Sequence, residues 1–336
     1  MKRALTILLL VIFNLTVIPG LNGNLAAAPK TPIRVGSYEI SNSFNRRVQA
    51  EKGNCSPQRM WRYSAVAVAD AIIDADCDIM GLQDVCDTIA GRRDGVSPFI
   101  DILKERGGDY EWLVLSNANP NYPLEGTMAN GNAIIWRASR FELRDWGIYW
   151  LSGIFDKPGR APELKYGSAN TSMMWVKLYD KSAGKELIFT SASLAGPTQY
   201  DKGQKVVYPE INVATAKNLL DLMRNDVVPF GMPSIIAVSA HNAPGSDGGK
   251  MMNSSVWLDV HNVMNDEGTL DEGAIKVKDC SNSVDEGKIQ GGRSDHIFED
   301  GFTVESYAVL RKKFPTADGT LHYPAFHFPL ISDLKY

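Results

Sequence analysis

Short apolar runs of strand character are spread over almost the whole chain, and that distribution constrains the fold more than any other feature. They occupy residues 33–40, 78–83, 111–115, 132–136, 173–178, 187–193, 234–240, 296–299 and 302–310, most of them closed by Gly, Pro, Asn or Asp. Between the first two, Trp61, Ala65, Val68 and Ile72 recur at helical spacing with Ala69 and Ile73 beside them, which predicts an amphipathic helix over 59–75. A second helix is predicted over 211–224, with Val213, Ala216, Leu219, Leu220 and Met223 on one side. Strands this numerous, with few helices between them, predict sheets packed on each other and covered by helices, an α/β sandwich. No repeat, low-complexity tract or linker breaks the sequence after Arg34, so residues 29–336 are expected to form one domain.

The first residues have a different character. Lys2 and Arg3 precede an apolar run from Ala4 to Ile18, and small residues follow at Ala26, Ala27 and Ala28. That is the layout of a signal peptide over residues 1–28, and it predicts export to a periplasmic or extracellular space. The run is too short for a full membrane span and is interrupted by Asn14 and Thr16, so no span is expected in the mature chain.

Charge narrows the partners. Two of the 35 Lys and Arg residues fall in the leader, so 33 face 39 Asp and Glu residues, a net charge of about −6. No dense basic cluster with interleaved aromatics is present, which argues against nucleic acid as a partner. Four cysteines in an exported chain allow two disulfides. A strand of ~3.3 Å per residue between Cys77 and Cys86 keeps that pair beyond the ~7 Å reach of a bridge, and Cys55–Cys86 is the preferred pairing. Four buried free thiols are the alternative.

The most informative stretch is SIIAVSAHNAPGSDG, residues 234–248, a buried strand that breaks into a polar loop with no carboxylate at the break. It belongs to an ordered set: RVGSYEI, DIMGLQDV, GNAIIWRASRFEL, YWLSGIFDKP, FTSASL, VSAHNA, SDHIF and AFHFPL. Together these segments resemble the endonuclease/exonuclease/phosphatase superfamily of metal-dependent phosphoesterases across nearly the whole mature chain, and YWLSGIFDKP is close to a segment of a secreted bacterial branch. The resemblance implies a four-layer α/β sandwich, two packed and mostly antiparallel sheets flanked by helices. It also implies hydrolysis of a phosphoester around Mg²⁺ or Mn²⁺, with a carboxylate on the metal, an Asp that activates water, and a His–Asp pair that stabilises developing charge.

Carried over residue by residue, the resemblance implies metal ligation by Asp84, where the family has Glu, with Glu39 at a position where the family has Asn. His327, its orienting partner Asp295, and Asn242 remain as residual catalytic positions. Three family groups are gone: Ala240 stands for the water-activating Asp, Ser193 for a His, and Phe326 for a carboxylate. The expectation is therefore an exported phosphoesterase relative that is inactive or strongly impaired and acts by binding a small molecule or phosphoester. An enzyme with a modified site, recruiting His241 or Asp247 as base, is the alternative. A sugar- or lipid-binding cleft lined by Tyr323 and Phe326 is the second alternative.

Each surviving group also has a structural reading. Asp295 with His327 can be a buried pair that supports the fold, Asn242 can cap its turn, and Glu39 with Asp84 can be solvated acids. His241 and His296 lack a second ligand at zinc-like spacing and read as structural, while His261 and His322 have no partner evident in sequence.

Overall fold

The computed structural model describes residues 32–40, 57–85, 99–114, 131–151, 171–196, 198–201, 204–207, 209–241, 247–266, 283–285, 288–290, 294–317, 319–325 and 327–336. The chain divides into residues 1–30, which lie outside that set, and Thr31–Tyr336, which form one compact unit. Among the described residues no helix is long and apolar enough to cross a membrane.

Two six-stranded sheets make the core of the unit. The first contains β1 (Ile33–Glu39), β2 (Ile79–Val85), β3 (Tyr110–Val114), β4 (Gly131–Arg137), β11 (Thr303–Val309) and β12 (Leu330–Lys335), in the order β11-β12-β1-β2-β4-β3. The second contains β5 (Phe141–Trp150), β6 (Ser172–Asp180), β7 (Lys185–Ser193), β8 (Ser234–Ser239), β9 (Leu258–Asp259) and β10 (Asp295–Asp300), in the order β9-β10-β8-β7-β6-β5. Both are mostly antiparallel, with one parallel pair at the centre of each, β1 with β2 and β8 with β7. The four-layer sandwich implied by the resemblance is the architecture observed.

The strands follow their sequence pattern. A run buried on both faces must be apolar throughout, and Ile235, Ile236, Ala237 and Val238 of β8 are all 0% exposed. The inter-sheet core includes Val35, Ile79, Ile134, Phe189 and Ile297. Gly81 lets the sheets approach closely at mid-height: a Cβ there would lie 2.8 Å from the Ala237 Cβ and 3.1 Å from the Ser191 Oγ. Gln83 spans the same gap, donating from Nε2 to the Ser191 Oγ at 3.1 Å.

Helix α1 (Pro57–Ala75) covers the outside of the first sheet with Ala65, Val68, Ala69 and Ile72, the stripe predicted from spacing. Its C-terminus turns on Asp76 at φ 53°, a left-handed position that Asp tolerates better than most residues. Helix α2 (Phe99–Glu105), too short for a clear period, buries Phe99, Ile100 and Leu103. Helix α3 (Pro209–Leu222) covers the second sheet and ends in a π-turn at Met223–Val227.

The sequence reading of α3 needs one correction. Val213 is half-buried, whereas Asn212 and Thr215 are buried. The apolar stripe is interrupted because these two polar side chains hold backbone groups of the strand ends beneath the helix. Helices α4 (Asp247–Asn253) and α5 (Val260–Asp266), and strands β5, β9 and β12, were not among the sequence-predicted elements. The described parts of Cys55, Cys86 and Cys280 are none, so the expected Cys55–Cys86 bridge lies outside the described residues. Cys77 is a buried free thiol, which burial pushes well above the usual thiol range.

Candidate active site

The central parallel pairs bring their C-terminal ends to the same edge. Glu39 pairs with Gln83 at the end of β1 and β2, and Ser239 with Ser193 at the end of β8 and β7. The antiparallel neighbours start there: Asn132 faces Gln83 on β4, and Asp295 faces Ser239 on β10. Within each sheet, positions far apart in sequence therefore converge by register, and packing of the sheets brings the two groups together.

Glu39 is the hub of the cleft and is 3% exposed. Its Oε2 accepts a hydrogen bond from the Ser239 hydroxyl of the other sheet. The same oxygen lies 3.4 Å from His327 Nδ1 and 3.7 Å from His241 Nδ1. His327 Nδ1 donates to Asp295 Oδ2 at 2.5 Å, with the Ser294 hydroxyl at 3.3 Å. Burial of the ring favours its neutral form, but the carboxylates of Asp295, Glu39 and Asp84 outweigh that, and His327 is pushed up to about 10. The ring is an imidazolium held between carboxylates at neutral pH.

Two strained residues flank the hub. Asp84 sits at φ 58° where a bulge breaks the β2–β4 register between Gln83 and Val85, and His241 sits at φ 49° just past β8. Left-handed backbone in non-glycine residues is uncommon and clusters at functional sites. A bulge re-aims the side chain it carries, and the Asp84 carboxylate lies near enough to His327 to favour its charged form.

The positions where the resemblance implies a His and a water-activating Asp are packed and hydrogen-bonded in this structure. Ser193 Oγ donates to Asn132 Oδ1 at 3.1 Å, and Asn132 Nδ2 donates to the carbonyl and hydroxyl of Ser172 at 2.9 and 3.0 Å. This hydrogen-bonded row stands where the resemblance places a histidine. Ala240 is 1% exposed in an apolar cluster with Leu194, Met252 and Trp257. Its backbone is held on both sides: its N–H donates to the Ser294 carbonyl at 2.8 Å, and its carbonyl accepts from Asn212 Nδ2 at 2.8 Å. The same Asn212 amide holds the Ala195 carbonyl at 2.8 Å, tying together the chain ends after β7 and β8. Asn212 was missed in the sequence because it reads as one polar residue on a helix; its neighbour Ile211 carries the helical period.

Asn242 and Phe326 lie outside the described residues, and so does the side chain of His322. His296 points to the opposite face of its sheet, 2.9 Å from Asp259 Oδ2 and stacked on Phe298, the structural role expected of it. His261 also belongs to that cluster: Asp259 accepts its backbone N–H at 3.1 Å, and its ring meets Tyr307 edge-on.

Glu39, Asp295 and His327 place one ligand atom each within 4.8 Å of one another, a set that can hold a metal ion. Two carboxylate oxygens and an imidazole nitrogen are the donor chemistry of a divalent cation site.

No family profile and no curated protein sequence matches the chain. Solved structures do. A mannosyl-6-phosphatase of Bacteroides thetaiotaomicron superposes with a TM-score of 0.65 at 18% identity, over 90% of this chain and 100% of its own. An endonuclease/exonuclease/phosphatase from Bacteroides vulgatus gives 0.62 at 16%, over 91% and 99%. The human Nocturnin catalytic domain gives 0.59 at 16%, over 92% and 95%. At these identities the likeness speaks for architecture, and it extends over nine-tenths of the chain: the protein has the deoxyribonuclease-I-like fold of the endonuclease/exonuclease/phosphatase superfamily.

Proposed function

We propose that the chain is an exported binding protein built on a phosphoesterase fold. It holds a divalent cation and a small phosphoester-type anion without turning the ester over at an enzyme's rate. One observation carries this reading: the water-activating position is Ala240, and its methyl is sealed in the apolar cluster beneath α3 and α4. The sequence has no carboxylate between Ser239 and Asp247. A general base is worth roughly 10² to 10⁴ in rate, and the Ser193 and Phe326 replacements remove further members of the same unit.

The remaining groups still suit binding. Without a cation His327, held by Asp295, is a fixed positive donor; with its Nδ1 proton released, Glu39, Asp295 and His327 can hold the cation. A cation there supplies Lewis-acid neutralisation of phosphoryl charge; Mg²⁺ or Mn²⁺ is what the sequence resemblance implies. Without it, Glu39, Asp84 and Asp295 outnumber the one imidazolium, and an anion is repelled. One structural relative is a mannosyl-6-phosphatase, so a sugar phosphate is the first anion class to test. The acidic net charge disfavours nucleic acid. Export rests on the leader at residues 1–28.

Retained hydrolysis is the second reading, favoured by His241, whose strained backbone puts its ring beside Glu39 and next to Ala240. The deciding experiment assays the mature chain on plasmid DNA, bis-p-nitrophenyl phosphate and mannose 6-phosphate with Mg²⁺ or Mn²⁺. No turnover above buffer is expected. Ala240→Asp alone should restore little, and Ala240→Asp with Ser193→His and Phe326→Asp should give measurable metal-dependent turnover, because these groups act as a unit. Metal-dependent turnover by the unmodified chain, abolished by His241→Ala or His327→Ala, would establish the second reading instead.

A further inference from the structure

We infer that the Glu39–His327–Asp295 group is a site for a transition-metal dication of the zinc class in preference to Mg²⁺; this rests on the proposed reading of the cleft as a binding site. The sequence resemblance points to hard-oxygen positions at Asp84 and Glu39; the atoms within 4.8 Å of one another are those of Glu39, Asp295 and His327. Two come from carboxylates and one from an imidazole. Mg²⁺ demands near-octahedral oxygen ligation and gives up its waters reluctantly. An imidazole nitrogen among the ligands favours zinc, cobalt or nickel.

The spacing agrees. With bonds of about 2.0–2.1 Å to nitrogen and 2.0–2.2 Å to oxygen, tetrahedral ligands lie about 3.3 Å apart. His327 Nδ1 and Glu39 Oε2 are already 3.4 Å apart. The Asp295 oxygen, 2.5 Å from Nδ1, is held there by the Nδ1 proton. Replacing that proton with the metal requires the pair to open by under ~1 Å: the N–H bond breaks, an N–metal bond forms, and the proton leaves to solvent. Three protein ligands leave a fourth position free for water or a ligand oxygen. On the other side of the same Glu39 oxygen stands His241, 3.7 Å away and 29% exposed at the rim. The imidazole content of the pocket is thus raised at its open side too.

The site is built rather than incidental. Glu39 is fixed by the Ser239 hydroxyl, and Asp295 by its place opposite Ser239 in the β8–β10 register. Each ligand comes from a different strand or strand end, so one ion would tie the two sheets together at their open edge.

The test is a titration of the chelator-treated full chain with Zn²⁺, Co²⁺ and Mg²⁺, followed by calorimetry. One Zn²⁺ per chain is expected, bound at least ~100-fold more tightly than Mg²⁺. Co²⁺ should give visible absorption of the intensity that tetrahedral nitrogen and oxygen ligation produces. Glu39→Gln and His327→Asn should each weaken Zn²⁺ by at least ~10-fold, with circular dichroism confirming that each variant is folded. If one variant does not fold, the Co²⁺ spectrum of the unmodified chain decides. Equal affinity for Mg²⁺ and Zn²⁺, or Zn²⁺ binding unchanged in folded His327→Asn, would overturn the inference. Turnover by the unmodified chain would overturn the binding-protein reading and leave the metal preference standing, so the two failures are distinguishable.

Discussion

Ser239 donates a hydrogen bond to Glu39 from one sheet to the other, across 200 residues of sequence. The bond joins the C-terminal end of β8 to that of β1 and fixes the carboxylate around which His327 and His241 gather. Both residues are buried, at 0% and 3% exposure, so the hydroxyl replaces water that the carboxylate cannot otherwise reach.

Ser239→Ala should therefore destabilise the fold by about 1–3 kcal/mol, the range for removing one partner of a buried polar group. Denaturant unfolding measures it directly. A cost indistinguishable from zero would mean that His327 alone satisfies Glu39. Ser239→Thr, which keeps the hydroxyl, should recover part of the loss.

Gly81 lies where the two sheets pack tightly against each other. An added methyl would meet the Ala237 Cβ at 2.8 Å and the Ser191 Oγ at 3.1 Å, both held by strands that cannot shift independently. Gly81→Ala should cost about 1–3 kcal/mol through overpacking. A thermal midpoint that stays constant would show that the sheets slide apart without penalty. The double variant Gly81→Ala with Ser191→Gly relieves only one of the two contacts and should recover less than half.

Glu299 on β10 provides a pH dependence remote from the cleft. Burial pushes its carboxyl up to about 7, only partly opposed by the Phe302 N–H that donates to it at 3.0 Å, and Asp300 adds repulsion. The folded chain holds this proton more tightly than the unfolded chain does. Its stabilising contribution is therefore complete below about pH 4.5 and is lost as pH rises through about 7. A shift of this size is worth on the order of 3 kcal/mol at most. Glu299→Gln, which stays neutral, should be more stable than the unmodified chain at pH 8 and no more stable at pH 4. Equal pH profiles of urea unfolding for the two chains would contradict this.

Several features of this protein were determined by sequence alone. The central strand β8 carries an uninterrupted apolar run, Ile235 to Val238, the pattern of a strand buried on both faces. The ordered motifs located the cleft, and the substitutions at Ala240 and Ser193 were visible as soon as the segments were aligned with a phosphoesterase pattern. What the sequence could not determine was which survivors meet. Glu39 and Asp84 read as the metal pair because both end neighbouring strands; only the structure shows that Asp295 and His327 also bring ligand atoms to within 4.8 Å of Glu39. Strand ends are assigned by local pattern, but the distances among them are set by register between sheets and by which way a bulge turns a side chain. The same limit hid Asn212, β5 and β12. An amide that clamps two carbonyls from a helix, the edge strand β5 with its exposed face, and β12 with its alternating burial acquire their roles only from the neighbours that tertiary packing supplies.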